Sequence, residues 1–180
     1  MDKLVKVFNA TIKQSFIGAK EAIETTICKA EFGIDEDGFA IGFMHDDDGS
    51  SYLLAGVMVQ EKGLYLVAFY LDEPDINPTS YELVFSDLTL TYFGIYRDYD
   101  KGLNEILGKA FLKINCVDNN EYIIEDFLNE YNSIVDRVST SAINHHILED
   151  MDKVLEESVS IVNKILRQIP DSENDKGYIC

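Results

Sequence analysis

The chain has no tryptophan, only three prolines and only three cysteines in 180 residues. With prolines at Pro74, Pro78 and Pro170 alone, long unstructured linkers are not expected. Cys28, Cys116 and Cys180 are far apart and form no CxxC pair. That excludes a zinc ribbon and a disulfide framework and predicts reduced thiols in a cytoplasm. Cys28 and Cys116 sit in apolar periodic settings, so both are expected to be buried. The terminal Gly-Tyr-Ile-Cys is not a prenylation box, which needs its cysteine fourth from the end. No apolar run reaches the roughly 18–20 residues of a membrane helix, and Lys3, Lys6, Lys13 and Lys20 interrupt any secretory signal.

Positive charge is the other scarcity. Fifteen Lys and Arg stand against 33 Asp and Glu, a net charge of −18. The deficit is uneven: residues 1–30 carry +2, residues 31–90 carry −12 and residues 91–180 carry −8. Such a chain repels phosphates and anionic lipid heads, so neither nucleic acid nor membrane is an expected partner. A basic protein is attracted, and its encounter is accelerated.

The length suits one domain with a sizeable core, expected over 1–170 with a polar tail at 171–180. Val5, Phe8, Ile12, Phe16, Ala19, Ile23, Ile27 and Ala30 recur by threes and fours, which predicts an amphipathic helix over 4–30. Phe39, Ile41 and Phe43 alternate between the turns Asp35–Gly38 and Asp46–Gly49, a strand pattern. The runs 51–60 and 64–71 are apolar on both faces, as in neighbouring central strands. Two further strands are expected at 81–85 and 88–96, the second separated by Ser86-Asp87. Helical spacing then returns over 103–114 behind Asp100, over 123–138 behind Asn119 or Asn120, and over 147–169 up to Pro170. The expected fold is therefore α+β: an N-terminal amphipathic helix, an antiparallel meander sheet of about five strands, then C-terminal helices packed on one face.

Catalytic and cofactor motifs are missing. With Gly38 or Gly49 as the sixth residue, the twelfth EF-hand position falls on Met44 or Ala55, so both calcium frames fail. His145/Glu149 and His146/Asp150 have i,i+4 spacing, but no partner motif completes a zinc site, and local ion pairing is the plainer role. There is no Gly-x-Ser-x-Gly elbow and no phosphate-binding glycine loop. No catalytic residue, metal or cofactor is assigned. An enzyme without a recognisable motif stays open as an alternative.

What remains is acid beside tyrosine. Tyr65, Tyr70, Tyr81, Tyr92, Tyr96 and Tyr99 fall in the strand region, and tyrosine is favoured both at interfaces and in strands. The expected function is a non-catalytic domain that binds a basic protein through Asp46, Asp47, Asp48, Tyr70, Asp72, Glu73, Asp75 and Tyr81. Size, charge and mixed helix-strand order are similar to those of bacterial immunity proteins that neutralise basic nuclease toxins. They are also similar to those of acidic secretion chaperones. The similarity is one of composition, and no motif or residue carries it. The alternatives are a DNA mimic and a self-associating structural or regulatory module, a homodimer built on residues 118–169 and 57–71.

Overall fold

The structure, a computed structural model, describes residues 3–16, 25–73, 76–99, 105–141, 144 and 146–167. Eight antiparallel strands come first: β1 (Leu4–Phe16), β2 (Thr25–Asp35), β3 (Phe39–Asp46), β4 (Ser51–Val59), β5 (Gly63–Tyr70), β6 (Thr79–Ser86), β7 (Thr91–Asp98) and β8 (Ile106–Asp118). Two helices follow, α1 (Glu121–Thr140) and α2 (His146–Arg167). Each strand pairs with the next, and β8 pairs back onto β1, so the sheet closes into a barrel without free edges. Among the described residues no helix is long and apolar enough to cross a membrane.

This corrects the expected fold. The described residues of the stretch 4–30 form strands β1 and β2 in place of the expected helix. The meander is an eight-stranded barrel, and the described part of the helix expected over 103–114 belongs to β8 from Ile106 onward. The cause lies in which faces are buried. Phe8, Ala10 and Ile12 point into the barrel, while Leu4 and Val7 on the same strand lie outside beneath the helices. A register shift between Leu4 and Lys6 adds an odd step. Apolar residues of both parities then imitate the three-and-four spacing of a helix. The C-terminal helices do form, with Asn120 accepting the Tyr122 amide at 2.8 Å to cap α1. The cap expected at Asp100 lies outside the described residues.

The barrel interior is filled by side chains. Phe8 stacks on Phe32 with centroids 5.3 Å apart, and Tyr81 packs on Tyr96 at 6.2 Å. Small residues make the room. Gly56 and Gly94 face inward where the adjoining strand passes so close that a β-carbon would collide with the Tyr65 and Glu82 carbonyls, respectively. A second core lies outside the barrel. There α1 and α2 lay Phe127, Tyr131, Ile134, Met151 and Val154 on Phe43, Leu53, Val57, Val67 and Phe69. Strands β4 and β5 are apolar on both faces because one face lines the barrel and the other lies under the helices. The apolar faces expected to form a homodimer, 57–71 and the 118–169 helices, thus contribute their described outward-facing apolar residues to this one buried core. Strands β7 and β8 and the adjoining halves of β1 and β2 keep an outer wall that belongs to neither core.

Candidate functional site

The antiparallel order puts the β3–β4 turn and the β5–β6 connection at one end of the barrel. Gly49, at φ +92°, takes the left-handed conformation this turn requires. Its amide donates to the Asp46 carbonyl at 3.1 Å. The Ser50 amide donates to both Asp46 Oδ1 and Asp48 Oδ1 at 2.9 Å, and the Ser50 hydroxyl donates to Asp48 Oδ1 at 2.6 Å. The aspartates therefore build their own loop, as Asp side chains do in turns. The neighbouring connection is tied on by three bonds. The Ser51 amide donates to Asp72 Oδ2 at 3.0 Å, the Leu71 amide to the Ser51 carbonyl at 3.0 Å, and Tyr70 Oη shares a bond of 3.1 Å with Ser50 Oγ. Asp46, Asp47, Asp48, Tyr70, Asp72 and Glu73 thus form one surface.

Its electrostatics are those of crowded carboxylates. Burial, with Asp48 as a hydrogen-bonded neighbour, holds the Asp46 carboxyl above the usual carboxylate range. Bonds from Asp46 and Ser50 hold Asp48 below it. On acidification Asp46 takes the proton of the pair first. The ion pairs Lys6–Glu61 (3.4 Å) and Arg97–Glu82 (2.7 Å) lie elsewhere on the barrel. Asp46, Asp48 and Asp72 are held by hydroxyl and amide donors. Behind the turn, Tyr52 donates to Asp46 Oδ2 at 3.1 Å, and burial pushes its own phenol up.

The end is not flat. A concavity of about 250 Å³ lies between the turn and the C-terminus of α1, lined by His45, Tyr52, Asp72, Arg137 and Asn144. Asn144 Nδ2 donates to the Leu71 carbonyl at 3.2 Å, while its buried Oδ1 has no hydrogen-bond partner among the described residues. Another hollow of about 200 Å³ is lined by Tyr70, Ile76, Asn77, His146 and Asp150. Among the described residues no three His, Cys, Asp or Glu side chains group as a metal site. His145 lies outside the described residues.

Three expectations need correction or limitation. Tyr81 is no surface residue: it is 1% exposed inside the barrel and donates to Gln14 Oε1 at 2.6 Å. Tyr65, Tyr92 and Tyr96 are buried as well, so most of the expected tyrosine surface is core. Asp75 lies outside the described residues. Cys28 is buried as expected, but Cys116 is exposed, beside the register shift between Asn9 and Ala10 where β1 meets β8.

A second feature escaped the linear pattern. On the outer wall Phe93 lies opposite Phe111, Phe111 opposite Lys13, and Lys13 opposite Ile27. Lys109, Lys113 and Lys29 flank that row. Phe93 and Phe111 are 43% and 47% exposed. A chain of net charge −18 thus gathers four lysines on one wall and leaves aromatic rings among them. The signal was present as two-residue alternation, Lys109-Phe111-Lys113 against Ala110-Leu112, and a helical count hides it. No family model, curated protein or solved structure matches the chain.

Proposed function

We propose that this chain is a non-catalytic binding protein that docks a basic polypeptide on the acidic end of its barrel. The observation that carries the proposal is the bonding of the Asp46–Asp48 turn to the Asp72 segment through Ser50 and Ser51. Those bonds place carboxylates from two separate stretches on one rigid surface. Two crowded carboxylates, one of them already holding its proton above the usual range, gain from a cation brought between them. A one-to-one inhibitor of a basic toxin would use such an end, and so would a chaperone for a basic client.

The test is capture from an extract of the native source by immobilised protein. The comparison is a variant with Asp46→Asn, Asp47→Asn, Asp48→Asn, Asp72→Asn and Glu73→Gln. Wild type is expected to retain basic proteins that salt elutes, and the variant to lose them while melting as wild type does. Capture of the same set by both would remove the acidic end as the docking site.

A second reading is self-association, which the outer wall favours. Its lysines complement the acidic end of another copy, and Phe93 and Phe111 supply apolar area to the same contact.

A further inference from the structure

The end opposite the acidic turns carries the β2–β3, β4–β5 and β6–β7 turns. There the filled interior gives way to an open cavity of about 650 Å³. Small-molecule sites fall in the range of about 300–1,000 Å³, and the mouth of a barrel is a common place for them. Phe8, Met58, Phe85, Tyr92, Ile114 and Val117 make its wall. The one polar group among these side chains is committed. Tyr92 Oη donates to the Glu61 carbonyl at 2.7 Å and lies 3.8 Å from Met58 Sδ. Where an occupant touches these six side chains it meets an apolar surface, and must itself be apolar there; the polar lining of the cavity is supplied by other residues.

The rim differs. Lys6, Gln60, Glu61, Lys62 and Asp87 supply its polar lining, and Lys6 bonds Glu61 at 3.4 Å. Two cations and two anions leave it near neutral, so it favours neither an anionic nor a cationic head. A third observation comes from the β6–β7 turn, which begins at the rim residue Asp87. Leu88 and Leu90 in that turn are 97% and 70% exposed, the two most exposed large aliphatic side chains among the described residues. Bare leucines beside an apolar mouth mark that end as one that touches apolar material.

We infer that the barrel mouth binds a single-chain amphipathic lipid, with its acyl chain against Met58 and Ile114 and an uncharged or zwitterionic head at the Lys6–Glu61 rim. Leu88 and Leu90 contact the apolar source from which that chain is drawn.

The probes are monolaurin and lauroyl lysophosphatidylcholine, with laurate and dodecylammonium as charged comparators, all below their micelle concentrations. Titration calorimetry on the full chain gives affinity and heat capacity. Methionine-methyl NMR gives position, because Met58 lines the mouth while Met44 and Met151 are buried away from it. Saturable binding of the neutral probes is expected, with a negative heat-capacity change and a shift of the Met58 methyl alone. Val117→Arg, at a half-exposed position, should weaken binding about tenfold or more. Ile114→Trp should do the same by filling the wall. Leu88→Ser with Leu90→Ser should slow uptake from phosphatidylcholine vesicles and leave affinity for the monomeric probes unchanged. Absence of binding by both neutral probes overturns the site, as does unchanged affinity in Val117→Arg and Ile114→Trp or a shift confined to Met44 or Met151. Binding of laurate or dodecylammonium tenfold tighter than monolaurin overturns the assignment of the head. Unchanged uptake in the leucine variant overturns the role of the turn. Loss of the acidic-end interaction leaves all these outcomes untouched.

Discussion

Cys28 and Tyr81 show how inward placement decides what a reactive or polar side chain does. Cys28 is 2% exposed, and burial, with the charges of Asp46, Asp47 and Asp48, pushes its thiol up from 9.0 to about 12. At neutral pH the thiol is protonated in both folded and unfolded chains. Above about pH 9 the unfolded chain ionises while the folded one does not, so stability falls as pH rises toward 12. Tyr92, whose phenol burial also pushes up to about 12, adds to the same alkaline loss. Denaturant unfolding from pH 8 to 11 should show that decline, with a shallower slope in Cys28→Ala. Brief alkylation at neutral pH, followed by peptide mapping, should mark Cys116 well before Cys28. Tyr81→Phe removes the bond to Gln14 and should cost about 0.5–1.5 kcal/mol in unfolding. Partner capture by the acidic end should be unchanged in that variant, as befits a core tyrosine.

Elements buried on one face were legible in the sequence, and elements that change face were not. Helix α1 places Ile124, Phe127, Tyr131, Ile134 and Val138 on one side and has a capping Asn120, so spacing and cap agree. Strands β4 and β5 read correctly because burial on both faces leaves an unbroken apolar run between turns. Strand β2 also held a clean signal: Cys28, Ala30, Phe32 and Ile34 inward, Lys29 and Glu31 outward. The apolar Ile27 on its outer side let a helical count absorb it. The acidic end was legible because its turns are short and local; the mouth cavity was not, since its wall draws on five strands. Phe127 ties the helix layer to the barrel: it is 2% exposed and stacks between Phe43 at 5.5 Å and Tyr131 at 6.1 Å. Phe127→Ala should cost about 3–5 kcal/mol, measured by denaturant unfolding. If α1 packed loosely on the strands, the loss would be far smaller.

For the molecule as a whole, the densest group of carboxylates and the row of four lysines lie on different surfaces. Carboxylates crowd the β3–β4 end, and Glu121, Glu125, Asp126 and Glu130 stand exposed on the outer side of α1. Lys13, Lys29, Lys109 and Lys113 stand on the wall the helices leave uncovered. Two copies repel as wholes, since each carries −18, but they attract where one copy's wall meets another's acidic end. The two effects have different ranges. The screening length is about 8 Å at physiological ionic strength and about 30 Å at 0.01 M, so low salt leaves the long-range repulsion in force. High salt screens the local pairs too. Self-association through complementary charge should therefore peak at intermediate ionic strength, measured as weight-average mass by light scattering over a salt series. Lys109→Glu with Lys113→Glu should abolish the peak. Mass that instead keeps rising into high salt would assign the contact to Phe93 and Phe111 pairing face to face. In that case Phe93→Ser with Phe111→Ser, and not the charge reversal, would return the protein to monomer. A constant monomer mass at every salt concentration would leave the acidic end free for a basic partner.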